Sequence, residues 1–126
     1  MRIFILEDDQ ERVELFKEVL KNDELTIVDT AESAIELLNM LSFDLILLDH
    51  DLGGLQMVGT NNTNTGSEVV RWMVMNQGDF PTIIVHSHNP PAAESMQNQL
   101  RDNGYTCHRI PFSKLIFNLR EPGFLS

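Results

Sequence analysis

The sequence has a single cysteine, Cys107, among its 126 residues. An intramolecular disulfide is therefore excluded, and one thiol without cysteine neighbours builds neither a zinc knuckle nor an iron–sulfur site. Cys107 reads most simply as a buried strand residue. Basic side chains are also scarce. Nine Lys and Arg stand against nineteen Asp and Glu, a formal charge of -10. Such a surface repels a long polyanion and argues against duplex DNA or RNA as a partner. A small phosphorylated ligand is compatible with it, because one cation and a few placed donors offset a diffuse charge. No apolar run reaches the roughly eighteen residues that span a bilayer, and the apolar start Met1 to Leu6 is too short for a signal peptide. The expectation is a cytoplasmic protein with no membrane contact.

What is present describes an ordinary folded domain. Hydrophobic residues make up 42% and charged residues 22% of the chain, far from the composition of disordered segments, and residues 1–126 are one domain's worth of polymer. Arg2-Ile3-Phe4-Ile5-Leu6 is a strand buried on both faces, ended by Glu7-Asp8-Asp9. Asp9 caps a helix over 10–21 that buries Val13, Phe16, Val19 and Leu20. A second strand at 25–28 is followed by a helix capped by Thr30, with Ala31, Ala34, Ile35, Leu38 and Leu41 as its apolar stripe. The continuous run in Asp44 to Asp49 marks the centre of a parallel sheet.

A polar loop through the Asn/Thr tract at 60–66 follows. Thr65 to Glu68 fits a capping box for a helix that Gly78 closes. Thr82 to Val85 is the fourth strand, Asn89-Pro90 opens a helix anchored by Met96 and Leu100, and Tyr105 to Arg109 is the fifth strand. Phe112, Leu115, Ile116 and Leu119 give a last helical face, and the chain from Arg120 reads as a tail. Five strands alternating with five helices predict an open α/β sheet with helices on both faces and right-handed crossovers. Ligands of such sheets bind beyond the carboxyl ends of the central strands.

The polar residues collect there. Glu7 and Asp8 follow the first strand, Asp49, His50 and Asp51 the third, and His86 and His88 the fourth. Residues two apart share a face of extended chain, which would pair Asp49 with Asp51 and His86 with His88. Two carboxylates about 5 Å apart repel by roughly 3 kcal/mol at an effective dielectric of about 20, so the cluster demands a proton or a cation. Carboxylate oxygens suit Mg²⁺ or Mn²⁺; the imidazoles also suit zinc, nickel, cobalt or iron. Other polar features have structural readings: Asp9 as a cap, His108 as a strand residue, Gly53-Gly54 as a tight turn, and Trp72 with Met73 to Met75 as packing.

Ile5-Leu6-Glu7-Asp8, Leu47-Leu48-Asp49 and the stretch from Pro81 to His86 resemble the first, third and fourth strands of a two-component receiver domain, over essentially the whole chain. The resemblance implies a flavodoxin-like fold with strand order 2-1-3-4-5, Mg²⁺ held by Glu7 and Asp8, and Asp49 as phosphoacceptor. Two positions depart from that pattern. His86 stands where a receiver carries a hydroxyl residue, and Ile110 replaces the lysine expected before Pro111-Phe112. Arg109 is one residue out of register and should point to the opposite face. The motifs Leu48-Asp49-His50-Asp51-Leu52-Gly53-Gly54 and Val85-His86-Ser87-His88-Asn89-Pro90 more specifically resemble the cyclic-phosphate processing receiver family, which implies action on cyclic phosphates.

Opening a cyclic phosphodiester needs charge neutralisation, an activated water and a proton for the departing alkoxide. Glu7, Asp8 and Asp49 are assigned to a divalent metal. His50, His86 and His88 are the acid and base candidates, with Asp51 orienting a histidine. Ser87 and Asn89, with backbone N–H groups up to Ala92, are assigned to a phosphate oxygen at the helix start; Pro90 and Pro91 offer no N–H. The alternative is a receiver or pseudo-receiver that signals by binding a partner.

Overall fold

The computed structural model describes residues 1–54, 57, 59 and 61–125. Thr60, within the polar tract assigned above to a loop, lies outside the described residues. The elements are β1 (Arg2–Leu6), α1 (Gln10–Val19), β2 (Glu24–Val28), α2 (Ala31–Met40), β3 (Leu45–Leu48), α3 (Gly66–Asn76), β4 (Thr82–Val85), α4 (Pro90–Asp102), β5 (Cys107–Arg109) and α5 (Phe112–Leu119). The sheet is parallel throughout and runs β2-β1-β3-β4-β5. This is the flavodoxin-like order expected from the resemblance.

The strands read as unbroken apolar runs because helices cover both faces. Phe4, Leu6, Ile46, Leu48, Ile83 and Val85 point to one side and pack with Ala34, Leu38, Val70, Met73 and Met96 of α2, α3 and α4. Ile3, Ile5, Leu45, Leu47 and Ile84 point to the other and pack with Phe16 of α1 and Phe112, Leu115 and Ile116 of α5. Each row alternates by two residues, so a one-residue slip of any central strand would exchange the two cores.

The helix starts follow their caps. Asp9 Oδ1 accepts from the N–H of Glu11 and Arg12, Thr30 from Ser33, Thr65 from Glu68 and Asn89 from Ala92. At the end of α3 the left-handed residue is Gln77, at φ 49, rather than Gly78. The last residues are less detached than a tail: Leu125 packs against the Phe16 and Phe112 cluster. Cys107 is buried in β5, and burial pushes its thiol up to about 11. Among the described residues no helix is long and apolar enough to cross a membrane.

Candidate functional site

One row of residues lies just past the carboxyl ends of the central strands. Leu6, Leu48 and Val85 are in register across β1, β3 and β4. The residues after them, Glu7, Asp49 and His86, extend the ladder by one rung. The Glu7 N–H donates to Val28 O (3.0 Å), Asp49 N–H to Leu6 O (3.1 Å) and His86 N–H to Leu48 O (2.9 Å). The backbone thus sets three side chains side by side. They are 1%, 4% and 0% exposed, and each offers a ligand atom within 4.8 Å of the others.

Such a cluster is short of positive charge. Burial, together with the charge of Glu7, pushes the Asp49 carboxyl up to about 7. Burial also raises Glu7, but the hydrogen bond from His86 Nε2 to Glu7 Oε1 (3.0 Å), its charge, the Asp9 N–H and Arg12 outweigh it and hold that carboxyl below its usual range. The His86 ring stands edge-on to Phe16, with ring centres 5.3 Å apart, and its Nδ1 is buried with no hydrogen-bond partner among the described residues. Two carboxylates and an imidazole in this arrangement suit a divalent cation with oxygen and nitrogen ligands.

An open cleft of about 490 Å³ lies over the cluster, lined by Glu7, Asp8, Asp9, Arg12, Asp49, Asp51, Gly54, Met57 and His88. Asp8 Oδ2 accepts from the Gly54 N–H (2.7 Å), and Asp51 Oδ2 from the Met57 N–H (2.9 Å). His88 is exposed on the wall. Its partial desolvation and the nearby charges of Arg12 and His86 hold its imidazole below the ordinary value. The expected pairing of His86 with His88 on one face does not form, because β4 ends at Val85 and His86 stays buried while His88 turns out.

The structure places three of the residues named from sequence outside the lining of the cleft. His50 is fully buried away from the cleft, with its Nδ1 2.9 Å from Ser67 Oγ at the start of α3 and its Nε2 3.8 Å from Asp51 Oδ1. The chain turns immediately after β3, so the side chain after Asp49 packs under α3. Ser87 and Asn89 are also buried and committed to the turn. Ser87 Oγ accepts from the Asn89 N–H, while Asn89 caps α4 and donates to Asp51 Oδ1 (3.2 Å). Neither lines the cleft.

Arg12 is the residue that pattern reading missed. Its Nη1 lies 3.6 Å from Glu7 Oε1 and 3.9 Å from Asp49 Oδ2, and its guanidinium carbon sits 4.8 Å over the Phe112 ring. The available signal was its place on the first turn of α1, flanking the buried positions Val13 and Phe16 and facing the strand ends. No basic group enters from β5: Ile110 continues the row by donating its N–H to Val85 O, and its side chain packs with the Phe16 and Phe112 cluster.

Comparison with known proteins agrees with this architecture. The sequence profile of the cyclic-phosphate processing receiver domain matches residues 1–102. The chain belongs to that receiver family. Among solved structures, this receiver domain is similar to the non-phosphorylated receiver domain of HemR from Leptospira biflexa. That likeness has 23% identity and a TM-score of 0.70, over 99% of this chain and 94% of that one. The Mn²⁺-bound form of the response regulator Rcp1 is 22% identical, with a TM-score of 0.61 over 94% of this chain and 88% of that one. The receiver domain of the Francisella response regulator 1452 is 14% identical, with a TM-score of 0.64 over 94% and 92%. Likeness at these identities concerns the fold. No curated protein sequence matches the chain.

Proposed function

We propose that this receiver domain is a metal-assisted phosphoesterase that opens small cyclic phosphates, such as 2′,3′-cyclic phosphate ends or cyclic nucleotides. The observation that carries the reading is the buried Glu7, Asp49 and His86 cluster beneath a cleft walled by His88. Glu7, Asp49 and His86 would hold the divalent cation, Mg²⁺ or Mn²⁺ or a transition ion, with Asp8 beside them at the rim. The bound ion supplies positive charge that withdraws electrons from phosphoryl oxygens.

The chain's own groups do the rest. The cleft volume suits a ligand of nucleotide size. His88, accessible and with a depressed pKa, takes a proton from water as its oxygen forms a bond to phosphorus. As the ring P–O bond breaks, the same imidazole returns the proton to the departing alkoxide. Asp51, fixed by Asn89 and the Met57 N–H, lines the cleft as well. His86 would serve as a ligand and orients Glu7 through their 3.0 Å hydrogen bond, and His50 Nε2 lies 3.8 Å from Asp51 Oδ1.

The test is incubation of the purified chain with a 2′,3′-cyclic nucleotide and Mn²⁺, with ³¹P NMR following the monoester. Wild type should turn over about 100-fold faster than His88→Ala. Equal rates in both would remove the enzymatic reading. A second reading is favoured by one observation: Asp49 follows β3 and faces the cleft, as a phosphoacceptor of a signalling receiver would. On that reading acetyl phosphate adds one phosphate to wild type, visible by mass spectrometry, and none to Asp49→Asn.

A further inference from the structure

The cleft is built from acids, yet a phosphate entering it brings more negative charge. Five of its lining side chains are carboxylates, namely Glu7, Asp8, Asp9, Asp49 and Asp51, and Arg12 is the one Lys or Arg among the described residues that line it. A cation bound at the Glu7, Asp49 and His86 cluster would neutralise only the phosphate oxygens that touch it. The remaining oxygens need donors, and Arg12 stands beside the same two carboxylates. Ser87 and Asn89, the polar side chains that sequence pattern suggested for this role, are buried in the turn before α4 and do not line the cleft.

Arg12 meets the requirement in position, in commitment and in rigidity. The Asp9 cap fixes its backbone N–H at 3.2 Å, so the residue emerges from a pinned first turn. The guanidinium rests 4.8 Å over Phe112, a ring that is 7% exposed and itself braced edge-on by Phe16. The two carboxylate oxygens nearest to it, at 3.6 and 3.9 Å, lie beyond hydrogen-bond distance. The guanidinium donates no hydrogen bond to any described residue, and its side chain is 24% exposed at the cleft wall. A side chain with five N–H groups in a rigid fork, oriented by stacking and with its donors uncommitted, is suited to bidentate binding of phosphate oxygens.

We propose that Arg12 is the phosphate clamp of this cleft: stacked on Phe112, its guanidinium donates to the non-bridging oxygens of the substrate's phosphate. The assignment rests on the reading that a phosphate ester enters the cleft. The bland alternative is that Arg12 merely balances Glu7 and Asp49. The two differ in what a lysine does. A counter-ion works as Lys, whereas a stacked fork does not.

The experiment uses the full chain with saturating Mn²⁺, inorganic phosphate as the probe in calorimetry, and the KM for a 2′,3′-cyclic nucleotide. Arg12→Lys and Arg12→Ala should each weaken phosphate binding and raise KM by about tenfold or more. Phe112→Leu, which removes the platform but keeps the arginine, should weaken phosphate binding several-fold. The Mn²⁺ affinity of Arg12→Ala should equal or exceed that of wild type, because a cation next to two ligand carboxylates has been removed. If Arg12→Ala fails to fold, the Lys and Leu variants decide the matter alone. Wild-type phosphate affinity and KM in Arg12→Lys overturn the clamp while leaving the phosphoesterase reading standing. A wild-type chain that neither binds phosphate nor opens a cyclic phosphate overturns both.

Discussion

Glu7 Oε1 and His86 Nε2 are 3.0 Å apart, and both side chains are completely withdrawn from solvent. The residues are far apart in the chain, so the contact exists only because β1 and β4 flank β3 in register. Removing one partner of a buried polar pair strands the other, at a cost of about 3–5 kcal/mol. His86→Ala should therefore destabilise the metal-free protein by about 3 kcal/mol or more, with Glu7→Gln costing less because an amide still accepts a hydrogen bond. Urea melts of the two single variants and the double variant in EDTA measure the coupling. Additive effects would show that the pair does not act as a unit.

Asp49 supplies a pH dependence with a definite sign. Its carboxyl is raised from 3.8 to about 7 by burial and by Glu7. A carboxyl with a raised folded-state pKa favours folding below its unfolded pKa, and that contribution is lost as pH climbs through the folded value. Ionising Asp49 in the metal-free protein thus costs on the order of 4 kcal/mol by pH 8. Asp49→Asn should raise the melting temperature at pH 8 and change it little at pH 4. A stabilisation that is the same at both pH values would contradict an origin in the buried carboxyl's charge.

The same penalty predicts a response to divalent ions. A cation that takes the place of the proton on Asp49 binds the folded chain and not the unfolded one. At about 100 times its dissociation constant it adds roughly 2.7 kcal/mol of stability. Mn²⁺ should raise the wild-type melting temperature at pH 8, and Asp49→Asn and Glu7→Gln should each lose most of that gain. Calorimetric melts with and without the ion provide the check.

His50 and His88 should part company. His88 is exposed on the cleft wall, so His88→Ala should change stability by no more than about 0.5 kcal/mol while lowering turnover about 100-fold. His50 is fully buried and bonded to Ser67. His50→Ala leaves a cavity and an unpaired hydroxyl, at a cost of about 2–4 kcal/mol. Denaturation midpoints and initial rates of the two variants, side by side, test this division.

That division also shows what a sequence can carry. The unbroken apolar runs of β1, β3 and β4 and the capping chemistry of Asp9, Thr30 and Asn89 are local properties, and the sheet and helices form where those patterns place them. The residues just after the strands are legible as a group, since topology sends Glu7, Asp49 and His86 to one rim. Of the positions one or two further along, Asp8, Asp51 and His88 reach the cleft wall as that grouping expects, while His50 packs under α3. Once β4 ends, the periodicity that relates His86 to His88 lapses, and each of the two side chains goes where the turn sends it. Arg12 escapes local reading because its orientation is set by Phe112, at the far end of the chain.

Gly66 ties the fold to the site most directly. It opens α3, donates its N–H to His50 O at 3.0 Å, and lies so close to β3's exit that a Cβ there would collide with the carbonyl oxygen of Asp49 and come within 2.9 Å of Met96 Cε. Backbone cannot yield as a flexible side chain can, so Gly66→Ala must push Asp49 out of its row or lift the start of α3. A destabilisation of about 3 kcal/mol or more is expected. Because Asp49 is displaced rather than removed, the Mn²⁺-dependent gain in melting temperature should fall with it. Gly59 has open space around its Cβ position, and Gly59→Ala is the matched control, expected to shift stability by less than about 0.5 kcal/mol. If Gly66→Ala melted and bound Mn²⁺ as the control does, α3 would not be the element that holds Asp49 in place.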